Sequence, residues 1–144
     1  MKTIIVVGGS KGIGKALIEK LLPYCKVVNI SRSTPEISHT NLSHFNCDVT
    51  QEDLPDIETA DGLVYCPGSI SLQPFDRLSE DTYREDYELN LLGAVRVLKA
   101  SMSALKTAPM ASIVLFSTVA VTTGMPMHAS IAAALGAVEG LTRS

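Results

Sequence analysis

The stretch "GGSKGIGK" (residues 8–15) comes directly behind the apolar run "TIIVV", and glycines in that place raise the question of a bound phosphate compound. Two kinds of loop fit. The phosphate loop of nucleotide hydrolases reads G-x-x-x-x-G-K-[ST], and Gly9 to Lys15 satisfy all but its last position. Ala16 stands where a Ser or Thr hydroxyl would hold magnesium, so the metal this chemistry depends on loses a ligand. The second kind is a dinucleotide cradle, which needs a strand, a tight glycine turn and a helix N-terminus whose free N–H groups and dipole meet a pyrophosphate. All three occur here in order. The spacing Gly8-x-x-x-Gly12-x-Gly14 differs from the commoner G-x-G-x-x-G, and a tight strand-to-helix turn without a ligand would use the same glycines.

The elements that must position this loop follow from apolar patterning. "TIIVV" (3–7) is continuously apolar, the pattern of a strand buried on both faces. "KALIEKLL" (15–22) has its aliphatics at helical spacing and stops at Pro23. "KVVNIS" (26–31) reads as a second strand, "SHFNCDV" (43–49) as a short third and "DGLVYCPG" (61–68) as a fourth ending in a Pro-Gly turn, with "LPDIETA" a weak helix before it. Residues 79–108 form the longest helical stretch, opened by Ser79 as a cap with acidic residues in its first turns. "SIVLFST" (112–118) is a fifth strand, and the Ala-rich tail from His128 reads as a last helix. Alternating strands and helices require right-handed crossovers and a parallel sheet. The fold class is therefore α/β: a doubly wound, Rossmann-type parallel sheet of about five strands with helices on both faces, in a single domain over 1–144.

Composition narrows the function classes. A chain of 144 residues buries roughly 68 to 70% of its unfolded surface, enough for one core. A formal charge of -3 without a local run of Lys and Arg argues against a nucleic-acid partner. The start "MKTIIVVGGS" is too short in apolar residues for a secretory signal or a membrane span, so the expectation is a cytoplasmic protein without a membrane partner. Cys25, Cys47 and Cys66 are odd in number and lack a C-x-x-C pair, which fits reduced thiols. His39, His44, Cys47 and Asp48 cluster in sequence but match no metal-ligand spacing, so no metal is expected.

With these landmarks the chain resembles the short-chain dehydrogenase/reductase family. The family's T-G-x-x-x-G-x-G motif matches Val7 to Gly14 with only the Thr replaced. "CDVT" (47–50) resembles its D-V segment, and "YCPG" (65–68) stands where N-N-A-G is usual, keeping the glycine and losing both asparagines. "LNLLGAVRVLKA" (89–100) resembles the central helix with its buried Asn, "IVLFST" (113–118) the strand carrying the active-site serine, and "AVEGLTRS" (137–144) the helix after the active site.

The resemblance implies an NAD(P)-dependent oxidoreductase that transfers a hydride to or from an alcohol or carbonyl substrate. It places Gly8, Ser10, Lys11, Gly12, Ile13 and Gly14 on the pyrophosphate side, Ser31 and Arg32 at the adenosine ribose, and Asp48 and Val49 at the adenine. Cys66, Pro67 and Gly68 follow along the cofactor. An acidic side chain ending the second strand would bond the ribose 2'-hydroxyl of NAD and repel the phosphate of NADP. Ser31 followed by Arg32, with Lys11 in the loop, favours NADP(H) over NAD(H) instead. Arg32 as an ordinary solvated loop charge is the plainer alternative.

The family's proton donor is a Tyr with a Lys one helical turn later, and both are missing. Counting from Thr118, which aligns with the catalytic Ser, the two places fall on Ile131 and Leu135. Thr118 and Asn90 remain as candidate catalytic residues, each with an alternative in local backbone bonding or a helix bend. His128 and Ser130 are substitute donors or simply helix-opening polar residues. An inactive dinucleotide-binding module, a sensor or subunit, is thus the rival function, and a P-loop protein the remote one. Family members run longer, so the C-terminal part of the family fold is expected to be absent and the domain incomplete. An uncovered last strand then predicts a homo-oligomer.

Overall fold

A computed structural model describes residues 1–144. Five strands form one sheet: β1 (Thr3–Val7), β2 (Lys26–Ser31), β3 (Leu42–Asn46), β4 (Gly62–Tyr65) and β5 (Ser112–Leu115), in the order β3-β2-β1-β4-β5. The pairs β1–β2, β1–β4 and β2–β3 are parallel, with Val7 opposite both Ile30 and Tyr65. Ile5, Val6 and Val7 are buried, as the continuous apolar run of β1 requires at the middle of a covered sheet. The strand order reverses between β1 and β4, and ligands of open α/β sheets bind beyond the carboxyl ends of the strands at such a switch point. Gly8 and Cys66 follow those two strand ends.

The chain divides into two compact units, one of residues 1–66 and 96–114, the other of residues 67–95 and 115–144. In the first, helix α1 (Gly12–Leu21) turns Ile18 and the following Leu22 into a core with Val6 and Val27, and Leu17, Leu21, Ile37 and Leu42 pack around them. Burying each such aliphatic contributes roughly 1.5–3 kcal/mol. Helix α1 begins three residues earlier than its apolar spacing predicts, because Gly12 and Gly14 carry no side chain to register in that pattern.

No helix forms over "LPDIETA"; the chain runs irregularly there to Ala60, whose N–H donates to the Ala104 carbonyl. Pro55 lacks an N–H and biases its predecessor away from helix.

In the second unit, helix α2 (Glu80–Tyr87) is capped by Ser79, whose Oγ accepts from the Thr82 N–H at 3.2 Å. The long helix expected over 79–108 is not continuous. A π-helical turn, Glu88–Leu92, separates α2 from helix α3 (Gly93–Leu105). The cause is local: Asn90 Nδ2 donates to the Asp86 carbonyl at 2.8 Å, taking the acceptor that a regular helix reserves for a backbone N–H. Helix α4 (Ala120–Thr123) and helix α5 (Ala129–Arg143) complete this unit; α5 packs against α2, the π turn and α4, and its Ser130, Ile131, Ala134 and Val138 are buried.

Strand β5 ends at Leu115, short of the expected Thr118, since Ser117 Oγ donates to Glu139 of α5 at 2.6 Å and Thr118 Oγ1 accepts from the Ala120 N–H at 3.3 Å. It is the edge of the sheet, and Ile113 and Val114 are exposed.

Candidate functional site

The glycine loop is built by close packing. Gly8 adopts φ 79° and Gly12 φ 58°, the left-handed region that glycine enters without a Cβ penalty. A Cβ on Gly14 would lie 2.4 Å from the Gly8 carbonyl oxygen, and one on Gly9 would lie 2.2 Å from Ile18 Cδ1. The turn is therefore tight against itself and against α1. A Cβ on Gly12, by contrast, would meet nothing within 4 Å, so the outer surface of the loop is open.

Helix α1 starts at this open surface with Lys11 at its N-cap position and no side chain capping its amides. The first-turn N–H groups of a helix have no intrahelical acceptor, and together with the dipole they suit an anion. The residues present thus fit a dinucleotide pyrophosphate. Ser10 is half-buried in the loop, while Lys11 and Ile13 are exposed on it.

Beyond β2, Ser31 is buried with its hydroxyl committed: it accepts from Asn29 Nδ2 at 3.0 Å and donates to the Ser33 carbonyl at 2.9 Å. Arg32 is exposed next to it. Asp48 Oδ1 accepts from Thr50 Oγ1 at 2.7 Å and from the Thr50 N–H at 3.0 Å. These two bonds, opposed by partial burial and helped by the Arg32 charge, hold the Asp48 carboxyl below its usual range. Asp48 is thus an ionised acceptor, the form needed to receive an amino group, and buried Val49 follows it.

Cys66 follows β4, with its N–H on the Val7 carbonyl at 3.0 Å. Burial pushes its thiol up; the Cys47 thiol is raised by burial and by the charges of Glu52, Asp48 and Asp53. Neither is a ready thiolate nucleophile. Of the sequence cluster around them, His39 Nδ1 accepts from the Asn41 N–H and His44 Nδ1 meets Asn29, so these side chains serve separate partners.

Pro67, Gly68, Asn90 and Thr118 belong to the second unit. Asn90 is buried in the π turn; its Nδ2 donates to Ser69 Oγ at 3.1 Å as well as to the Asp86 carbonyl, and its Oδ1 faces Gly68, where a Cβ would come within 3.4 Å. Ser69 Oγ in turn donates to Asp86 Oδ1 at 2.6 Å. Asp86 is almost fully buried and its Oδ2 has no partner. Sequence reasoning missed Ser69 and Asp86; the available signal was an Asp four residues before Asn90, one helical turn away.

Thr118 is half-buried. Ile131 is 3% exposed and Leu135 half-buried on α5, so the positions that a Tyr and Lys would occupy are filled with packed aliphatics. Ser130 is fully buried with an unpartnered Oγ, and His128 Nδ1 lies 2.7 Å from the Pro126 carbonyl, to which it donates.

Strand order, the glycine loop behind β1 and the open-ended helix after it define the class of Rossmann-type α/β domains. The short chain dehydrogenase family matches residues 2–144, and the chain belongs to that family of oxidoreductases. It is 29% identical over 160 residues to a 2,5-dichloro-2,5-cyclohexadiene-1,4-diol dehydrogenase of Sphingobium indicum, covering 99% of this chain and 64% of that protein.

A short chain dehydrogenase family protein from Francisella tularensis superposes with a TM-score of 0.88 at 26% identity, over 99% of this chain and 61% of that one. The ligand-free aldohexose dehydrogenase of Thermoplasma acidophilum gives 0.86 at 26% identity, over 99% and 59%. The chain spans less than two thirds of the length of each of these relatives. No helix is long and apolar enough to cross a membrane.

Proposed function

We propose that this chain is the dinucleotide-binding part of a short-chain dehydrogenase/reductase-type oxidoreductase, that it takes NADP(H) in preference to NAD(H), and that its reaction class is hydride transfer on an alcohol or carbonyl carbon. The observation that carries the reading is the uncapped first turn of α1 in the Gly8–Gly14 loop, with Lys11 at its N-cap and no carboxylate after β2, where Ser31 and Arg32 stand. The bound nicotinamide would supply or accept the hydride.

The chain's own residues bind and orient. The amides around Gly12, Ile13 and Gly14 hold the pyrophosphate, with Gly8 and Ser10 shaping the turn. Arg32 and Lys11 neutralise a 2'-phosphate. Asp48 accepts from the adenine amino group beside Val49. The Ser31 hydroxyl, already donating to Ser33, serves the ribose only as an acceptor. Cys66, Pro67 and Gly68 continue the cofactor path, the Thr118 hydroxyl is the group for a substrate carbonyl, and Asn90, with both amide hydrogens committed, holds a backbone carbonyl.

A second reading is favoured by a specific observation. Ile131 and Leu135 cannot donate a proton, and Ile131 is packed away from solvent. Binding without turnover, in a sensor or subunit, follows from that. We further propose a cytoplasmic homo-oligomer acting on a small molecule, because the exposed apolar residues of edge strand β5 call for a cover.

Titration with NADPH and NADH, followed by nicotinamide fluorescence, and then a panel of carbonyl substrates, tests these readings together. NADPH is expected to bind at least tenfold tighter than NADH, about 1.4 kcal/mol. Equal affinities would remove the role of Arg32 and Lys11. Turnover of any carbonyl would overturn the binding-only reading, and binding without turnover would support it.

A further inference from the structure

We propose that Asn29 is a positioning residue for the dinucleotide cradle: its carboxamide holds the Gly9 amide from beneath, and His44 fixes the direction in which that carboxamide faces. The inference rests on the dinucleotide-binding reading above and adds to it a residue outside the glycine loop.

Asn29 sits in β2, between β3 and β1, and is fully buried in the middle of an apolar strand. A buried carboxamide must find partners for two donor hydrogens and an acceptor oxygen. Here every one is met. Oδ1 accepts from the Gly9 N–H at 3.0 Å, and Nδ2 faces both Ser31 Oγ and His44 Nδ1 at 3.0 Å.

The orientation of the amide follows from its partners. The Gly9 N–H can only donate, so the atom facing it is the oxygen. Ser31 spends its proton on the Ser33 carbonyl and therefore accepts from Asn29. His44 Nδ1 then faces a donor and must present its lone pair, which puts the imidazole proton on Nε2, a buried atom with no protein partner. A ring carrying a proton on Nδ1 would set an N–H against the Asn29 Nδ2 donor and drive the carboxamide to flip, leaving the Gly9 N–H opposite an N–H.

Geometry ties this bond to the loop. Gly8 N–H extends the ladder by one bond, donating to the Ile30 carbonyl at 2.8 Å, whereas the next amide, that of Gly9, is held by a side chain. Gly9 also lies so close that an added Cβ would stand 2.4 Å from Asn29 Oδ1. From Gly9 the contact passes directly to Gly14, where an added Cβ would be 2.9 Å from Gly9 Cα. Asn29 thus sets where the first turn of α1 presents its amides, without touching the ligand itself.

The test uses the wild-type chain, Asn29→Leu and Asn29→Asp, with NADPH affinity measured by calorimetry, thermal unfolding measured in parallel, and the His44 tautomer read by nitrogen-15 NMR. Leu has similar bulk and no acceptor; Asp keeps the acceptor for Gly9 but calls for a proton on His44 Nδ1. In the wild type the His44 ring should carry its proton on Nε2. Asn29→Leu should bind NADPH at least tenfold more weakly while remaining folded. Asn29→Asp should stay within about threefold of wild type and move the His44 proton onto Nδ1.

Wild-type affinity in Asn29→Leu, or a wild-type His44 protonated on Nδ1, overturns the inference. If Asn29→Leu does not fold, the His44 tautomer and the Asn29→Asp affinity decide it. A wild-type chain that binds neither NADPH nor NADH takes down the underlying reading as well, whereas wild-type binding with an unaffected Asn29→Leu overturns this inference alone.

Discussion

Gly14→Ala is the sharpest perturbation of the cradle. The added methyl would start 2.4 Å from the Gly8 carbonyl oxygen and must be at 3.0 Å or more to exist, so loop and helix have to separate by about 0.6 Å. Neither side yields freely. The Gly8 N–H is tied to Ile30 at 2.8 Å and the Gly9 N–H to Asn29 at 3.0 Å, and a shift of that size stretches one of them beyond hydrogen-bond range.

Overpacking of this kind costs about 1–3 kcal/mol, offset by about 1 kcal/mol because Ala is a better helix residue than Gly, so the net loss of stability is about 0–2 kcal/mol. Binding should suffer more than folding, since the displaced amides are the ones that meet the phosphate: at least tenfold in NADPH affinity, about 1.4 kcal/mol. Calorimetric titration beside thermal unfolding separates the two effects. Gly140→Ala serves as control, in the interior of α5 with open space where its Cβ would go, and should gain about 0.5–1 kcal/mol without altering binding. A Gly14→Ala variant that binds NADPH within about threefold of wild type would refute the claim that close loop-to-helix approach shapes the site.

Two further outcomes follow, one from each unit. Asp48 has its folded pKa lowered from 3.8, so its contribution to stability is fully present above that value and is lost as pH falls through the folded pKa; the difference in unfolding temperature between wild type and Asp48→Asn should therefore be largest near neutral pH and shrink below about pH 4. A gap that stays constant from pH 7 to pH 3 would contradict this. Ile131→Tyr with Leu135→Lys should lower stability by about 1–3 kcal/mol, because a larger, polar ring enters a packed site, and should leave NADPH affinity within about threefold while adding little carbonyl reduction to that of the wild type. Substantial turnover in that double variant would mean that the second unit already forms a working substrate pocket.

The strands of the first unit were readable because their signal is burial itself. Thr3–Val7 and Lys26–Ser31 have the same limits in sequence and structure, each an apolar run closed by a residue of another kind. What patterning could not reveal was decided by polar side chains acting over one turn or across strands. Asn90 interrupts an unbroken helical pattern by capturing the Asp86 carbonyl, and hydropathy carries no mark of that exchange. Pro55 gave a visible warning against a helix over 54–60 that the apolar spacing outweighed. Asn29 was visible as a polar letter inside "KVVNIS", yet its partners Gly9 and His44 lie 20 and 15 residues away, and only the strand order brings them together.

The two units also differ in what their departures from the family pattern mean physically. In the glycine loop every constraint is steric and backbone-based: Gly8 and Gly12 take positive φ, and Gly9 and Gly14 need the missing Cβ, Gly9 at a place that the family motif leaves open. The places for Tyr and Lys on α5 impose no such demand on the fold, since an aliphatic fills them at least as well. Ile131, nearly free of solvent and packed in the helix that meets α2 and the π turn, contributes roughly 1.5–3 kcal/mol of burial that a phenol would forgo unless its hydroxyl found a partner. Ile131 therefore serves the packing of α5 at a place where a Tyr would need a partner for its hydroxyl. The cradle shows the opposite balance: Gly8 and Gly12 are conformationally costly to order and the helix start behind them is uncapped, which supports the dinucleotide-binding role proposed above.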